Sequence, residues 1–224
     1  MISNIRPSLI PPVALACSLG MIWVVRHSLV LCVLLSVLWF FLFRPLCRRE
    51  FLLFIVAGIF ITIQNYSVLL TGAFTFARQD FLLMPYYEPL LWGFYFLSLK
   101  RFFDRDQGVS LQWPAFLGLG FMSVAFSFFA GTVWHSVAVF VATGGVLALF
   151  HTRQDLAHAA YTLALGFAVE LLGVSTGEWS YPDPDFFGIP FWFAPMWISV
   201  GLLGRRLLFP LVAALDRIIS RFFS

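Results

Sequence analysis

The apolar positions of this chain come in unbroken blocks rather than at helical or strand spacing, so the segments they predict are apolar on every face. Charged residues bound eight such blocks, at about 10–25, 28–43, 51–75, 81–99, 111–129, 133–150, 156–175 and 188–204. The reading is an all-α integral membrane helical bundle of about eight transmembrane helices, seven to eight, with both termini cytoplasmic. The second block, SLVLCVLLSVLWFFLF, and the eighth, GIPFWFAPMWISVGLLG, fall short of the ~20 residues that a perpendicular span needs. A re-entrant or interfacial segment is the alternative for each.

Charge orders the blocks. With the N-terminus inside, the inner side collects Arg6, Arg44, Arg48, Arg49, Lys100, Arg101, Arg105, Arg153, Arg205, Arg206, Arg217 and Arg221, against Arg26 and Arg78 outside. That asymmetry obeys the positive-inside rule, and removing any internal span scrambles it. The expected setting is a multi-pass protein of a bacterial inner (cytoplasmic) membrane. Residues 1–204 read as a single transmembrane domain. Residues 205–224 mix arginine with Leu, Ile and Phe and read as an amphipathic C-terminal helix on the inner leaflet, or as a tail with snorkelling arginines.

Composition agrees: of the 224 residues 61% are hydrophobic and only 11% charged, and the mean hydropathy is +0.91. The formal charge of +3 and the pI near 9.0 come from short loops, so they mark topology and not a nucleic-acid footprint. Cys17, Cys32 and Cys47 have no partner at metal-ligand spacing and read as free thiols, and no metal or cofactor is expected. Ala130-Gly131-Thr132 makes the fifth and sixth spans an antiparallel pair, with Gly118, Gly120, Gly144 and Gly145 allowing close approach. No internal repeat is apparent.

Two carboxylates inside apolar blocks carry the candidate chemistry: Glu88 in FLLMPYYEPLLWGFYF and Glu170 in YTLALGFAVELLGVSTG. Ionisable groups there are costly and by default functional, although a bond to a neighbouring helix would also explain them. Helical rise places both in the outer half of the bilayer, near Gln64, Asn65, Tyr86, Tyr87 and His135, as one outward-opening polar pocket. Pro85 and Pro89 bracket Glu88 and predict a kink in mid-span. The loop GEWSYPDPDFFGIPFWFAPMW carries Glu178, Trp179, Tyr181 and Trp192 and reads as a lid over the pocket, or as an aromatic belt.

The run from Glu170 through Gly177-Glu178-Trp179-Ser180-Tyr181-Pro182, continued by Gly188-Ile189-Pro190-Phe191-Trp192, resembles a signature of small bacterial polytopic membrane proteins of unassigned function. It is also similar, over residues 170–200, to carotenoid hydratase and lycopene cyclase type membrane proteins, without their paired acidic motif at a helix end. That resemblance implies a lipid or isoprenoid substrate, with Glu170 or Glu88 as the catalytic acid and Gln64, Asn65, Tyr87, His135, Glu178, Trp179, Tyr181 and Trp192 around it. Protonating a carbon–carbon double bond needs a neutral carboxyl, which a low-dielectric site favours. Partners would be membrane lipid and a hydrophobic small molecule, with a homo-oligomer or a membrane-protein partner compatible with the chain. A proton- or cation-coupled transporter component and a non-catalytic assembly subunit are the competing classes. No GxSxG, HExxH or phosphate-cradling motif is present, and every Asp falls in a loop or the tail, which argues against a soluble-type hydrolase, a nucleotide enzyme and an intramembrane aspartyl protease.

Overall fold

The structure, a computed structural model, describes residues 9–103 and 110–222; Arg6 and Arg105 of the inner charge set lie outside them. The helices are α1 (Ile10–Val24), α2 (Ser28–Leu42), α3 (Arg48–Leu70), α4 (Glu88–Phe102), α5 (Trp113–Phe129), α6 (His135–Leu149), α7 (Arg153–Thr176), α8 (Phe193–Leu203) and α9 (Phe209–Phe222). Two-residue strands β1 (Thr75–Phe76) and β2 (Trp179–Ser180) pair antiparallel. The protein is an all-α integral membrane bundle. Among the described residues three helices are long and apolar enough to cross a membrane unaided: α3, α7 and the continuous run Phe193–Phe222. α1, α2, α4 and α6 have 15 residues each, about 22 Å at helical rise, and depend on neighbours at their ends.

The chain is an internal duplication, which the sequence reading missed. Helices α1–α4 are followed by α5–α8 in the same order, and from Cys47 to Arg101 the first half superposes on Thr152 to Arg206 in sequence without a gap. Thr75 and Ser180, 105 positions apart, are equivalent. So are Glu50 and Asp155, Asn65 and Glu170, Asp80 and Asp185, Pro85 and Pro190, and Trp92 and Trp197. The local geometry repeats with them. α3 and α7 each open on a capping box, Cys47 with Glu50 and Thr152 with Asp155. Phe81 and Met84 exchange two backbone hydrogen bonds around Leu82 and Leu83, both at positive φ, as Phe186 and Ile189 do around Phe187 and Gly188. Each half then enters a helix one turn later. Because each half holds four helices, both run in the same sense, and the relating axis lies along the bundle. It passes between Thr75 and Ser180, which face each other in the β1–β2 pair with their hydroxyls 3.3 Å apart.

Each half is clamped at its inner end by an internal ion pair, and the two clamps match. Arg101, at the end of α4, grips Glu50 at the start of α3 with two bonds of 2.8 Å. Arg205 and Arg206 both converge on Asp155 at the start of α7, at 2.6–2.7 Å. The π turn Gly204–Leu208 lies where these consecutive arginines meet one carboxylate. At the opposite end Arg26 and Arg78 both bind Glu178, so the outer pair of arginines gathers on one acid.

Several boundaries differ from the sequence reading. The fourth block does not become helical at residue 81: Phe81–Met84 forms the tight turn, and α4 begins at Glu88 with Pro89 in its first turn. Proline lacks an N–H that the first turn would leave unpaired, so it starts this helix rather than kinking it. The eighth block likewise begins its helix at Phe193, after the matching turn. Beyond it no loop sets off residues 205–222, since α8, the π turn and α9 form one 30-residue helix. α9 buries Pro210 and Val212, pins Asp216 to Arg48 of α3 at 2.7 Å, and exposes Ile218 and Phe222. Of the four glycines singled out, Gly118 is closely packed, against Val146 and Leu203, whereas Gly120, Gly144 and Gly145 have nothing within 4 Å of a Cβ position.

Candidate functional site

A cavity of about 200 Å³ opens between the halves, walled by α3, α4, α5, α7 and α8 and closed at its outer end by Trp179, Tyr181 and Trp192. Glu88 and Glu170 both line it, and both are buried, at 8% and 6% exposure. Glu170 Oε2 accepts hydrogen bonds from the Trp179 indole at 2.8 Å and the Tyr181 hydroxyl at 2.6 Å; its Oε1 accepts one from Trp197 at 3.3 Å. Glu88 Oε1 accepts from Asn65 Nδ2 at 3.1 Å and from the Trp92 indole at 2.8 Å. Trp92 and Trp197 stack with centroids 5.2 Å apart, so indole pairs link one carboxylate to the other.

Local structure explains how these groups converge. Glu88 is the first residue of α4, delivered inward by the turn at Phe81–Met84. Glu170 lies six residues before the end of α7, about 9 Å along the helix. α7 stops at Gly177, whose φ of 72° is left-handed, and this reversal sends Trp179 back over Gly173. A side chain at Gly173 or Gly166 would collide with Trp179 or Trp197 respectively, so both small residues are required for the tryptophans to reach Glu170.

The predicted set divides. Gln64, Asn65, Glu88, Glu170, Trp179, Tyr181 and Trp192 line the cavity. Tyr87, His135 and Glu178 do not. Glu178 is a buried hub below the outer surface, taking hydrogen bonds from Arg26 at 3.2 Å, from the Tyr87 hydroxyl at 2.8 Å and from Arg78. It ties the loop after α3 to the loop after α7, because a buried carboxylate needs charged or hydrogen-bonding partners. His135 packs between Phe126 and Trp192, behind the cavity wall, at centroid distances of 4.9 and 5.0 Å.

Sequence reasoning missed Trp92, Tyr95, Trp197, Met122, Phe126 and Ser199, all of which line the cavity. An aromatic residue in an apolar span looks the same whether it faces lipid or a cavity. The signal that separates Trp92 and Trp197 from the rest is their equivalence in the repeat. The repeat also explains why the cavity has one side: Ser199 stands where the first half has Phe94, and Phe94 is packed against Trp39 and Phe54.

No basic side chain lines the cavity, and among the described residues no three His, Cys, Asp or Glu side chains gather to hold a metal ion. The arrangement suits a largely apolar ligand that meets two carboxylates at one end.

No protein-family model matches this chain, and no curated protein does. Among solved structures it is similar to the Insig homologue MvINS from Mycobacterium vanbaalenii, at 21% identity and a TM-score of 0.63, covering 76% of this chain and 97% of that one. A cross-linked trimer of MvINS is similar at 22% identity and the same TM-score and coverage. The likeness is one of fold. It lends the carotenoid hydratase and lycopene cyclase resemblance no support, and with the helices above it makes this chain a multi-pass membrane protein of Insig-homologue-like fold.

Proposed function

We propose that this protein binds or acts on a lipid or isoprenoid-type molecule, one end of which occupies the cavity against Glu88 and Glu170. The observation that carries this reading is the pairing of two buried carboxylates with a mostly apolar and aromatic wall inside a membrane bundle. Buried carboxylates in a bilayer are costly and are retained where they serve a ligand or a proton. Glu170, held by three donors, is suited to orient; Glu88, with both bonds on Oε1, keeps Oε2 for the ligand. The setting is a bacterial cytoplasmic membrane, on the strength of the basic inner loops. A homo-oligomer is in keeping with the trimer reported for MvINS.

The duplication favours a second reading, a solute transporter, since parallel repeats related by an axis along the membrane normal are common there. Against it, the Trp92–Trp197 stack bridges the two halves beside the cavity.

The test is to purify the protein from its native membrane and identify co-purifying lipids and pigments by mass spectrometry, for wild type, Glu88→Gln and Glu170→Gln. A specific lipid or isoprenoid retained by wild type, and lost or replaced by a precursor in the variants, supports the proposal. Bulk phospholipid alone, the same in all three, overturns it and leaves transport as the working reading.

A further inference from the structure

The described carboxylates that are buried or half-buried are Glu50, Glu88, Asp155, Glu170, Glu178 and Asp216. Outside the cavity each of them binds arginine: Glu50 holds Arg101, Asp155 holds Arg205 and Arg206, Glu178 holds Arg26 and Arg78, and Asp216 holds Arg48. The two that line the cavity are bonded differently. Asn65, Tyr181 and the indoles of Trp92, Trp179 and Trp197 supply their hydrogen bonds, and all of these donors are neutral. A carboxylate shielded from water is costly without a countercharge, and everywhere else this chain supplies one.

Glu88 also has bonding capacity to spare. Both of its donors reach Oε1, whereas Oε2 takes no bond from a described residue and, unlike the Tyr95 hydroxyl, is not closed off by protein atoms. The side chain is 8% exposed and lines the cavity, so that oxygen is open to an occupant. The surrounding wall suits a cation with apolar substituents. Trp92, Trp179, Trp192, Trp197, Tyr181 and Phe126 belong to it, and aromatic faces attract a desolvated cation. No Lys, Arg or His lines the cavity to repel one. An ammonium N–H donates to a carboxylate oxygen with the strength of a charge-assisted bond, which an alcohol or an alkane does not match.

We infer that the cavity takes an organic cation, a protonated hydrophobic amine whose ammonium group bonds Glu88 beside Glu170 and whose apolar part lies against the aromatic wall; this rests on the reading above and names the end group that meets the two acids. A lipid and a free solute present the same chemistry here, an ammonium on an apolar body.

The experiment uses the full chain in nanodiscs of zwitterionic lipid, at neutral pH where an alkylamine is protonated, with a photoreactive hexadecylamine as probe. Competitors are hexadecylamine, hexadecanol and hexadecanoate, and the compact pair phenethylamine and phenethyl alcohol. Each amine should compete roughly ten- to hundred-fold better than its alcohol, the span of a hydrogen bond to a charged group, and hexadecanoate should be weakest. Glu88→Gln should bring the amine down to the level of its alcohol while the alcohol is unchanged, which also shows that the variant is folded. Glu170→Gln, which removes charge but no open oxygen, should lower the amine's margin less. Competition by hexadecylamine alone supports the inference with a lipid as the source, and competition by phenethylamine supports it with a free solute. Equal competition by amine and alcohol in wild type, a comparison that needs no variant, overturns the inference and leaves a hydrophobic site standing. An undiminished margin in Glu88→Gln, or a greater loss in Glu170→Gln, overturns the placing of the ammonium at Glu88. Absence of any saturable labelling, with no competition by either alcohol, removes the lipid reading and the inference together.

Discussion

Trp92 and Trp197, equivalent residues of the two halves, stack at 5.2 Å, and each donates its indole N–H to a different glutamate, Trp92 to Glu88 and Trp197 to Glu170. The pair is therefore both the packing contact between α4 and α8 and the polar floor of the cavity. Replacing either by Phe keeps an aromatic ring and removes one donor, but the consequences should differ. Glu170 keeps Trp179 and Tyr181 as donors, whereas Glu88 keeps only Asn65. Trp92→Phe should cost about 1–3 kcal/mol and Trp197→Phe below about 1 kcal/mol, read as unfolding free energies in mild detergent. Equal losses would mean that the stack, and not the hydrogen bonds, sets the stability of this floor.

At the outer end, Glu178 was expected at the site and instead binds Arg26, Arg78 and Tyr87 away from the cavity. A buried acid with two arginines is a strut between loops 71–87 and 177–192. Glu178→Gln removes the charge but keeps an acceptor, and should lower stability by about 2–4 kcal/mol, because two arginine bonds lose their countercharge. Limited proteolysis should show earlier cleavage in both loops. Ligand retention should fall only in proportion to the unfolded fraction; a selective loss of ligand in protein that melts normally would restore Glu178 to the site.

Much of this was readable in the chain. α1, α2, α5 and α6 are apolar on all faces and bounded by charge or glycine, so their limits in the structure lie within two residues of the apolar blocks. Topology suggested that Glu88, Glu170, Gln64 and Asn65 lie near one level, and all four line the cavity, but the rise counted from Phe81 to Glu88 runs through a turn and not a helix. The repeat was hidden because its halves share only the residues that set geometry, such as the aspartate, proline and tryptophan of Asp80, Pro85, Trp92 and their equivalents, while the apolar positions between them interchange Leu, Phe, Ile and Met freely. The turn at Phe81–Met84 was hidden for a different reason: Leu82 and Leu83 take positive φ without glycine, so nothing in their identity announced a reversal.

The inner clamps give a prediction that compares the halves. Asp155 is fully buried and serves two arginines that are themselves 6% and 12% exposed at the side chain, while Glu50 and Arg101 are 12% and 19% exposed. Arg101 also keeps the carbonyls of Phe43 and Pro45 as acceptors when its acid is gone. Asp155→Asn should therefore destabilise by about 3–5 kcal/mol and Glu50→Gln by about 1–2 kcal/mol, since removing one partner of a buried pair leaves an uncompensated charge. Unfolding of the two variants under one set of conditions checks the order. Were Glu50→Gln the worse, the first half and not the second would hold the bundle's inner end together.

The asymmetry of the halves beside the cavity rests on size differences at equivalent positions, Phe94 against Ser199 together with Trp39 against Gly144 and Phe54 against Ala159. Phe94 fills the first half against Trp39 and Phe54, and Ser199 leaves the matching space in the second half open while bonding Thr143 at 2.9 Å. Ser199→Phe should repack the second half in the manner of the first. It loses the Thr143 bond and adds volume, at a cost of about 1–3 kcal/mol, less where the ring finds the void. Ligand retention should fall at least about ten-fold, because the ring takes up volume that the ligand needs. Ser199→Ala, which loses the same bond and adds nothing, separates the two effects: it should match the stability loss from the hydrogen bond alone, about 1 kcal/mol, and retain ligand. If both variants lose ligand equally, the Thr143–Ser199 bond and not the open space governs binding, and the role assigned to the Phe94–Ser199 asymmetry fails.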